Sequence, residues 1–144
     1  MAVFPILDRP RFEEILKQFR TSAEVYVLVT SLCAAESSSA WSKIFMMEAR
    51  RMKAANTTYF EAPVVADVLA NFFLFSASAK LKQQIAAFFH LREAITMAQV
   101  LDLHEESTYA AMKDELEALC NRRIFWLLFV TERYVFLGGI ASND

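Results

Sequence analysis

The chain has 144 residues and a formal net charge of −2, a length that suits one domain and a balance that offers no broad attraction to nucleic acid or an anionic membrane. It is 56% hydrophobic and 22% charged, with thirteen Phe and six Met to fill a core. Two Gly and three Pro are too few turn residues for a β-rich fold, so the composition predicts long helices.

The N-terminus carries Asp8 and Arg9 soon after a short apolar start, unlike a signal peptide. Asp8 is placed to cap a first helix, with Pro10 tolerated in its first turn and Phe12, Ile15, Leu16 and Phe19 as its apolar face. Ser22 caps a second helix, Ala23 to about Ala35, although Val25 to Thr30 is β-prone. Ser37, Ser38 and Ser39 form a loop and cap before a third helix, Ala40 to about Ala55. Trp41, Ile44, Phe45 and Met52 are expected inward there, with the basic group Arg50, Arg51 and Lys53 on a solvated face. Pro63 suits the first turn of a fourth helix, whose apolar content runs through Phe72, Phe73 and Phe75. Ser76 and Ser78 are read as the next cap. A fifth helix from about Ala79 to Leu103 has the core stripe Leu81, Ile85, Phe88, Leu91, Ile95, Ala98 and Leu101. His104 to Tyr109 is expected as a polar loop, with a short turn near Ala110 to Met112. Asp114, Glu115 and Glu117 favour the start of a last helix, and Gly138 and Gly139 end it. The expected fold is all-α: about six helices stacked as antiparallel pairs in a single domain over residues 1–144.

Chemistry is sparse. Cys33 and Cys120 are isolated, which gives no zinc framework and reads as reduced buried thiols. His104-Glu105-Glu106 fails as a zinc-protease motif because Thr108 stands where the second histidine belongs. His90 reads as a packed or edge histidine. No serine nucleophile motif or phosphate-cradling glycine loop is present, so an enzyme is not expected. No stretch reaches transmembrane length.

The last helix holds the most distinctive stretch. Ile124 to Val130 is apolar on every face, so it is expected to be buried on most sides, with Arg122 and Arg123 at one end and Glu132 and Arg133 at the other. Charges there need partners. Glu132 is expected to pair with Arg133, Arg122, Arg123 or Arg92, and Arg122 to lie on Trp126. A structural ion pair and a rim facing an effector both fit, and the residues alone favour the structural pair.

Arg122 to Arg133 resembles a segment of the regulatory middle homology region of fungal zinc-cluster transcription factors. The Phe129-Val130-Thr131-Glu132-Arg133 version is similar to the branch that includes starch and maltose regulators. Phe4 to Arg9, followed by Phe12, resembles that region's opening segment. Phe88 to Gln99, with Arg92 and Glu93, resembles one of its helices and leads into Leu101-Asp102-Leu103-His104. Most members have Gly where Asp102 stands, which puts the end of this helix in question. Tyr109 and the motif residues Arg122, Arg123, Phe125, Trp126, Phe129, Glu132 and Arg133 complete the likeness.

The resemblance implies an effector-responsive regulatory domain of a nuclear transcription factor acting on RNA polymerase II transcription, in carbon or sugar metabolism. It implies that this chain is a fragment of a larger helical domain, without the DNA-binding domain. Zinc would belong only to that absent domain, and this chain would carry no cofactor. Implied partners are other helices of the parent, a second copy through self-association, and a sugar effector or a corepressor, with no direct nucleic-acid or membrane contact. The competing reading is a helical protein–protein adaptor with no small-molecule ligand.

Overall fold

The computed structural model describes residues 21–138 together with Pro10, Glu13, Glu14 and Lys17. The described chain is all-α, with six helices: α1 (Ala23–Glu36), α2 (Ser39–Ala55), α3 (Val65–Lys80), α4 (Gln84–Val100), the short α5 (Glu106–Ala110) and α6 (Glu115–Phe136). The apolar face expected for a helix at 12–19, the Phe4 to Arg9 segment and Gly139 lie outside the described residues.

The centre is α3, not the final helix. Asp67 to Phe75, Ala77 and Ser78 are all buried, so α3 is enclosed on nearly every side. α1 and α4 flank it, while α2 packs mainly on α1 and α6 mainly on α4. Each fully buried Phe or Leu, such as Phe73 and Leu74, contributes about 1.5–3 kcal/mol.

N-cap side chains open α1 and α6. Ser22 Oγ accepts the Val25 N–H at 3.3 Å to open α1. Asp114 Oδ1 accepts from Leu116 N at 3.0 Å and Glu117 N at 3.3 Å to open α6. α1 is helical through its β-prone run because Val25, Val27, Leu28 and Leu32 gain burial there, which outweighs local propensity. At its C-terminus, the Lys80 ammonium donates to the carbonyls of Ala34 at 3.0 Å, Ala35 at 2.9 Å and Ser37 at 2.6 Å. A cation on those open carbonyls opposes the negative end of the helix dipole.

Several inward faces differ from expectation. In α2 the buried residues are Ser42, Met46 and Ala49, while Trp41 and Ile44 are exposed. Ser42 donates its hydroxyl to the Ala34 carbonyl at 2.5 Å, so a small satisfied polar residue serves the tight α1–α2 contact. Ser38 is the N-cap of α2 but makes no side-chain cap bond. Pro63 precedes the Val64 cap of α3 and lies outside the helix. Ser76 and Ser78 are interior to α3, because the helix continues to Lys80. α4 therefore starts at Gln84, and its buried face rotates to Ala87, Leu91, Ala94, Met97 and Ala98. Ile85 and Phe88, expected in the core, are exposed. The alanines let α3 and α4 approach closely. The expected polar loop from His104 to Tyr109 is helical from Glu106 on, as most of α5, anchored by buried Tyr109, whose hydroxyl donates to the Leu103 carbonyl.

Three helices end through a left-handed residue. Lys82 (φ 61°) follows α3, with Gln83 N–H on the Ser78 carbonyl at 2.9 Å. Asp102 (φ 54°) follows α4, with Leu103 N–H on Ala98 at 3.0 Å. Gly138 (φ 84°) follows α6. The first two form the Schellman pattern that satisfies the last carbonyls of a helix.

Candidate functional site

The Ile124 to Val130 run of α6 is apolar all round in sequence but not buried all round. Ile124 and Leu128 face the core, whereas Trp126, Phe129 and Val130 are exposed. α6 packs mainly along one side of α4 and less on α3, and Trp126 and Val130 on its outer face stay exposed.

Between them runs a cleft of about 510 Å³, walled by Phe75 of α3, Ala87, Phe88 and Leu91 of α4, and Val135 and Phe136 of α6. Arg92, Glu132 and Gln84 are its polar lining. Arg92 Nη1 donates to Glu132 Oε1 at 2.8 Å, and its guanidinium sits 5.7 Å from the Phe88 ring centre. Beyond the pair lies a smaller hollow of about 280 Å³, lined by Ile95, Ala98, Gln99, His104, Phe125, Leu128, Phe129 and Glu132. Glu132 thus borders both hollows.

Glu132 pairs with Arg92, one of the four expected partners, but the pair is not buried: the side chains are 55% and 36% exposed for Arg92 and Glu132. An exposed pair is worth about 0–1 kcal/mol, so its role is to edge the cleft and not to hold the core. Arg122 does not lie on Trp126. Its guanidinium is 4.7 Å from the Tyr109 ring centre and pairs with Glu106 of α5. The short helix, missing from the sequence reading, supplies both partners. Arg133 lies 5.2 Å from the Phe129 ring centre, and Arg123 is exposed. Trp126 meets Phe129 edge-on at 5.7 Å. Of the motif residues, Arg92, Glu132, Phe125, Phe129 and His104 converge on the two hollows. Arg122, Arg123, Trp126, Arg133 and Glu93 do not.

Glu93 belongs to a second constellation that the sequence reading did not assemble. It faces the opposite side of α4, where Lys53 Nζ donates to it and to Asn71 Oδ1 at 2.9 Å. Tyr59 Oη donates to Glu93 Oε2 at 2.7 Å, and Asn71 Nδ2 donates to Tyr59 Oη at 2.5 Å. Lys53, expected outward, is therefore turned in. Burial pushes the Glu93 carboxyl up, but the Lys53 and Tyr59 hydrogen bonds outweigh it and hold it below its ordinary value. Burial first, then Glu93, raises the Tyr59 phenol. Nearby, His90 Nε2 lies 3.2 Å from Arg50 Nη2, which can only donate, so Nε2 is an acceptor. Burial, then Lys53 and Arg50, push His90 down to about 4. The one clue in sequence is Asn71, a lone amide inside the apolar run from Val68 to Phe75.

The polar constellation is a closed hydrogen-bond network that ties α2, the 56–64 loop, α3 and α4 together. Neither it nor the cleft presents a nucleophile beside a free base. Among the described residues, no three His, Cys, Asp or Glu side chains are placed to hold a metal ion. No described helix is long and apolar enough to cross a membrane.

Fold and site together define a helical domain with an apolar, charge-edged cleft. The chain is 44% identical over 82 residues to the probable sucrose utilization protein SUC1 of Candida albicans. That match covers 57% of this chain and 16% of the relative, so the chain spans a small part of its relative's length. No family model matches the chain. No solved structure matches it either.

Proposed function

We propose that this chain is part of the regulatory region of a fungal transcription factor that governs sugar-utilisation genes in the nucleus, and that it regulates by binding and not by catalysis. The observation that carries the reading is the 44% identity to a probable sucrose utilization protein over more than half of the chain. It agrees with the likeness of Arg122 to Arg133 and of Phe88 to Gln99 to the middle homology region. The all-α fold also agrees with it. Deleting the encoding gene should abolish induction of disaccharide hydrolase and transporter transcripts on disaccharide medium and leave growth on glucose intact. An unchanged transcript profile would overturn the reading.

The second reading, a helical adaptor with no small-molecule ligand, draws support from the cleft itself. Its walls are mostly aromatic and aliphatic, and its polar lining is confined to Gln84, Arg92 and Glu132, whereas a sugar needs polar groups along its length. Thermal-shift measurements with sucrose and maltose separate the two. A sugar-dependent rise in melting temperature favours an effector sensor, and none favours the adaptor.

A further inference from the structure

We infer that the outer face of α2 binds an acidic amphipathic helix of a partner protein. α2 packs mainly on α1, and the side it turns away from the fold is apolar. Trp41, Ile44 and Met47 are 59%, 56% and 69% exposed there. Ala40, Ile44, Met47 and Arg51 recur at helical spacing, so they form one line along α2, opposite the buried Ser42, Met46 and Ala49. Trp41 flanks that line and is held against Phe45, with ring centres 6.2 Å apart. The exposed Ala40 at one end and Ala54 and Ala55 at the other leave room beside the ridge of Ile44 and Met47. A ridge with room on both sides is what a second helix packs on.

Charge selects the occupant. Lys43 and Arg50 are seven residues apart on one edge of the line, about 10 Å or two turns along the helix. Neither has a carboxylate partner among the described residues: Arg50 meets only the His90 ring, at 3.2 Å, and Lys43 makes no ion pair. The acid of this face, Glu48, lies towards the other edge and is already engaged, by Arg51 at 2.7 Å and by the Tyr26 hydroxyl at 2.7 Å. Lys43, Arg50 and Arg51 thus stand against one acid, on a chain whose net charge is −2. A helix with a leucine stripe and two glutamates seven residues apart matches both the ridge and the two open cations, whereas a basic helix is repelled. Size fixes the kind of contact. At about 200 Å² per large side chain, the three exposed residues present on the order of 350 Å². That is under half of the roughly 800 Å² each partner buries in a standard interface, so the occupant is one short helix, held transiently. The inference gives the binding role proposed above a partner, and it rests on that reading.

The test is fluorescence polarisation at low salt with the purified chain and a labelled, end-capped peptide of about 14 residues, long enough to span the line from Ala40 to Arg51. The peptide carries leucines at helical spacing and two glutamates seven residues apart, and a second peptide has lysine in place of each glutamate. The glutamate peptide should bind at about 10–100 μM and the lysine peptide about tenfold more weakly or not at all. Lys43→Glu should weaken the glutamate peptide about fivefold and Ile44→Ser about tenfold. Lys113→Glu, the same charge change on an exposed residue away from α2, should leave it unchanged. Should Ile44→Ser fail to fold, Lys43→Glu decides. Equal binding of the two peptides overturns the inference, as does no binding of the glutamate peptide or a folded Lys43→Glu variant that binds like wild type. So does a wild-type dimer that Ile44→Ser dissociates, which would put a second copy on this face, or binding to phosphatidylserine vesicles without binding to the peptide. Gene deletion reads transcripts and this titration reads the α2 face, so the regulatory role and the partner fail separately.

Discussion

At Lys82 and Asp102 the backbone asks for a residue that the sequence does not supply. Both hold positive φ, where a Cβ crowds the following carbonyl at about 1–2 kcal/mol, less for Asp. The family likeness puts Gly at Asp102 and left the end of α4 in question. The helix ends there in the left-handed geometry a glycine would take, and Asp is among the few residues that tolerate it. Lys82→Gly should stabilise the fold by about 0.5–1 kcal/mol and Asp102→Gly by less, once the larger entropy of an unfolded glycine is set against the strain. Gly138→Ala meets no atom within 4 Å, so it should lose only the backbone term, about 1 kcal/mol. Urea midpoints of the three variants check this, and a destabilising Lys82→Gly would mean that its side chain, not its backbone, matters at the corner. Lys53→Ala is the opposite kind of change. It leaves Glu93 half-buried without its cation and Asn71 Oδ1 without its donor, and should cost about 2–3 kcal/mol.

Among the helices, legibility followed how local each determinant is. The cap at Ser22, the acidic start of α6 at Asp114 and the stop at Gly138 are set by a few neighbouring residues, and the sequence placed them, though it read Asp114 as a first-turn acid and not as the cap it is. Inward faces depend on which neighbour a helix finds. In α4 the start shifted from Ala79 to Gln84, and with it the core stripe moved from Ile85 and Phe88 to the alanines. In α2 the large side chains Trp41 and Ile44 looked like core, yet the contact selected the small ones. For α6, an all-round apolar run implied enclosure, but only one side is covered. Lys53, Tyr59, Asn71 and Glu93 are brought together by folding over 40 residues, and no local pattern announces that. The pairing of Glu132 with Arg92 was among the expected outcomes, but its burial was not. Glu132→Ala, which would cost about 3–5 kcal/mol in a buried pair, should cost under about 1 kcal/mol here. A larger loss in thermal melting would show the pair to be shielded from water.

Across the whole molecule, acid should act through the junction of α2, α3 and α4. His90 has an ordinary value of 6.5 and is pushed down to about 4 in the fold. From pH 6.5 to about 4 the unfolded chain therefore takes up a proton that the folded chain refuses, so stability falls as pH falls. The full shift, at about 1.4 kcal/mol per unit, is discounted to about 2 kcal/mol because water partly reaches the ring. The Glu93 carboxyl is held low, so its contribution is present above its unfolded value and is lost with further acid, in the same direction. Asp67, raised mainly by burial, works the other way and recovers some stability as it protonates. Protonated His90 would also set a third cation beside Arg50 and Lys53, with Glu93 as the facing carboxylate. Above pH 10 the raised Tyr59 phenol reverses the slope, because the unfolded chain ionises first and stability falls as pH rises. Urea unfolding at pH 7, 5.5 and 4.5 reads the acid limb, with mass measured at each pH so that a change in association is separated from a change in fold. His90→Gln keeps an acceptor for Arg50 and removes the titration, so its loss between pH 7 and about 5 should be smaller than that of wild type by roughly 1–2 kcal/mol. Equal losses in the two proteins would place the acid sensitivity elsewhere and return His90 to an ordinary surface histidine.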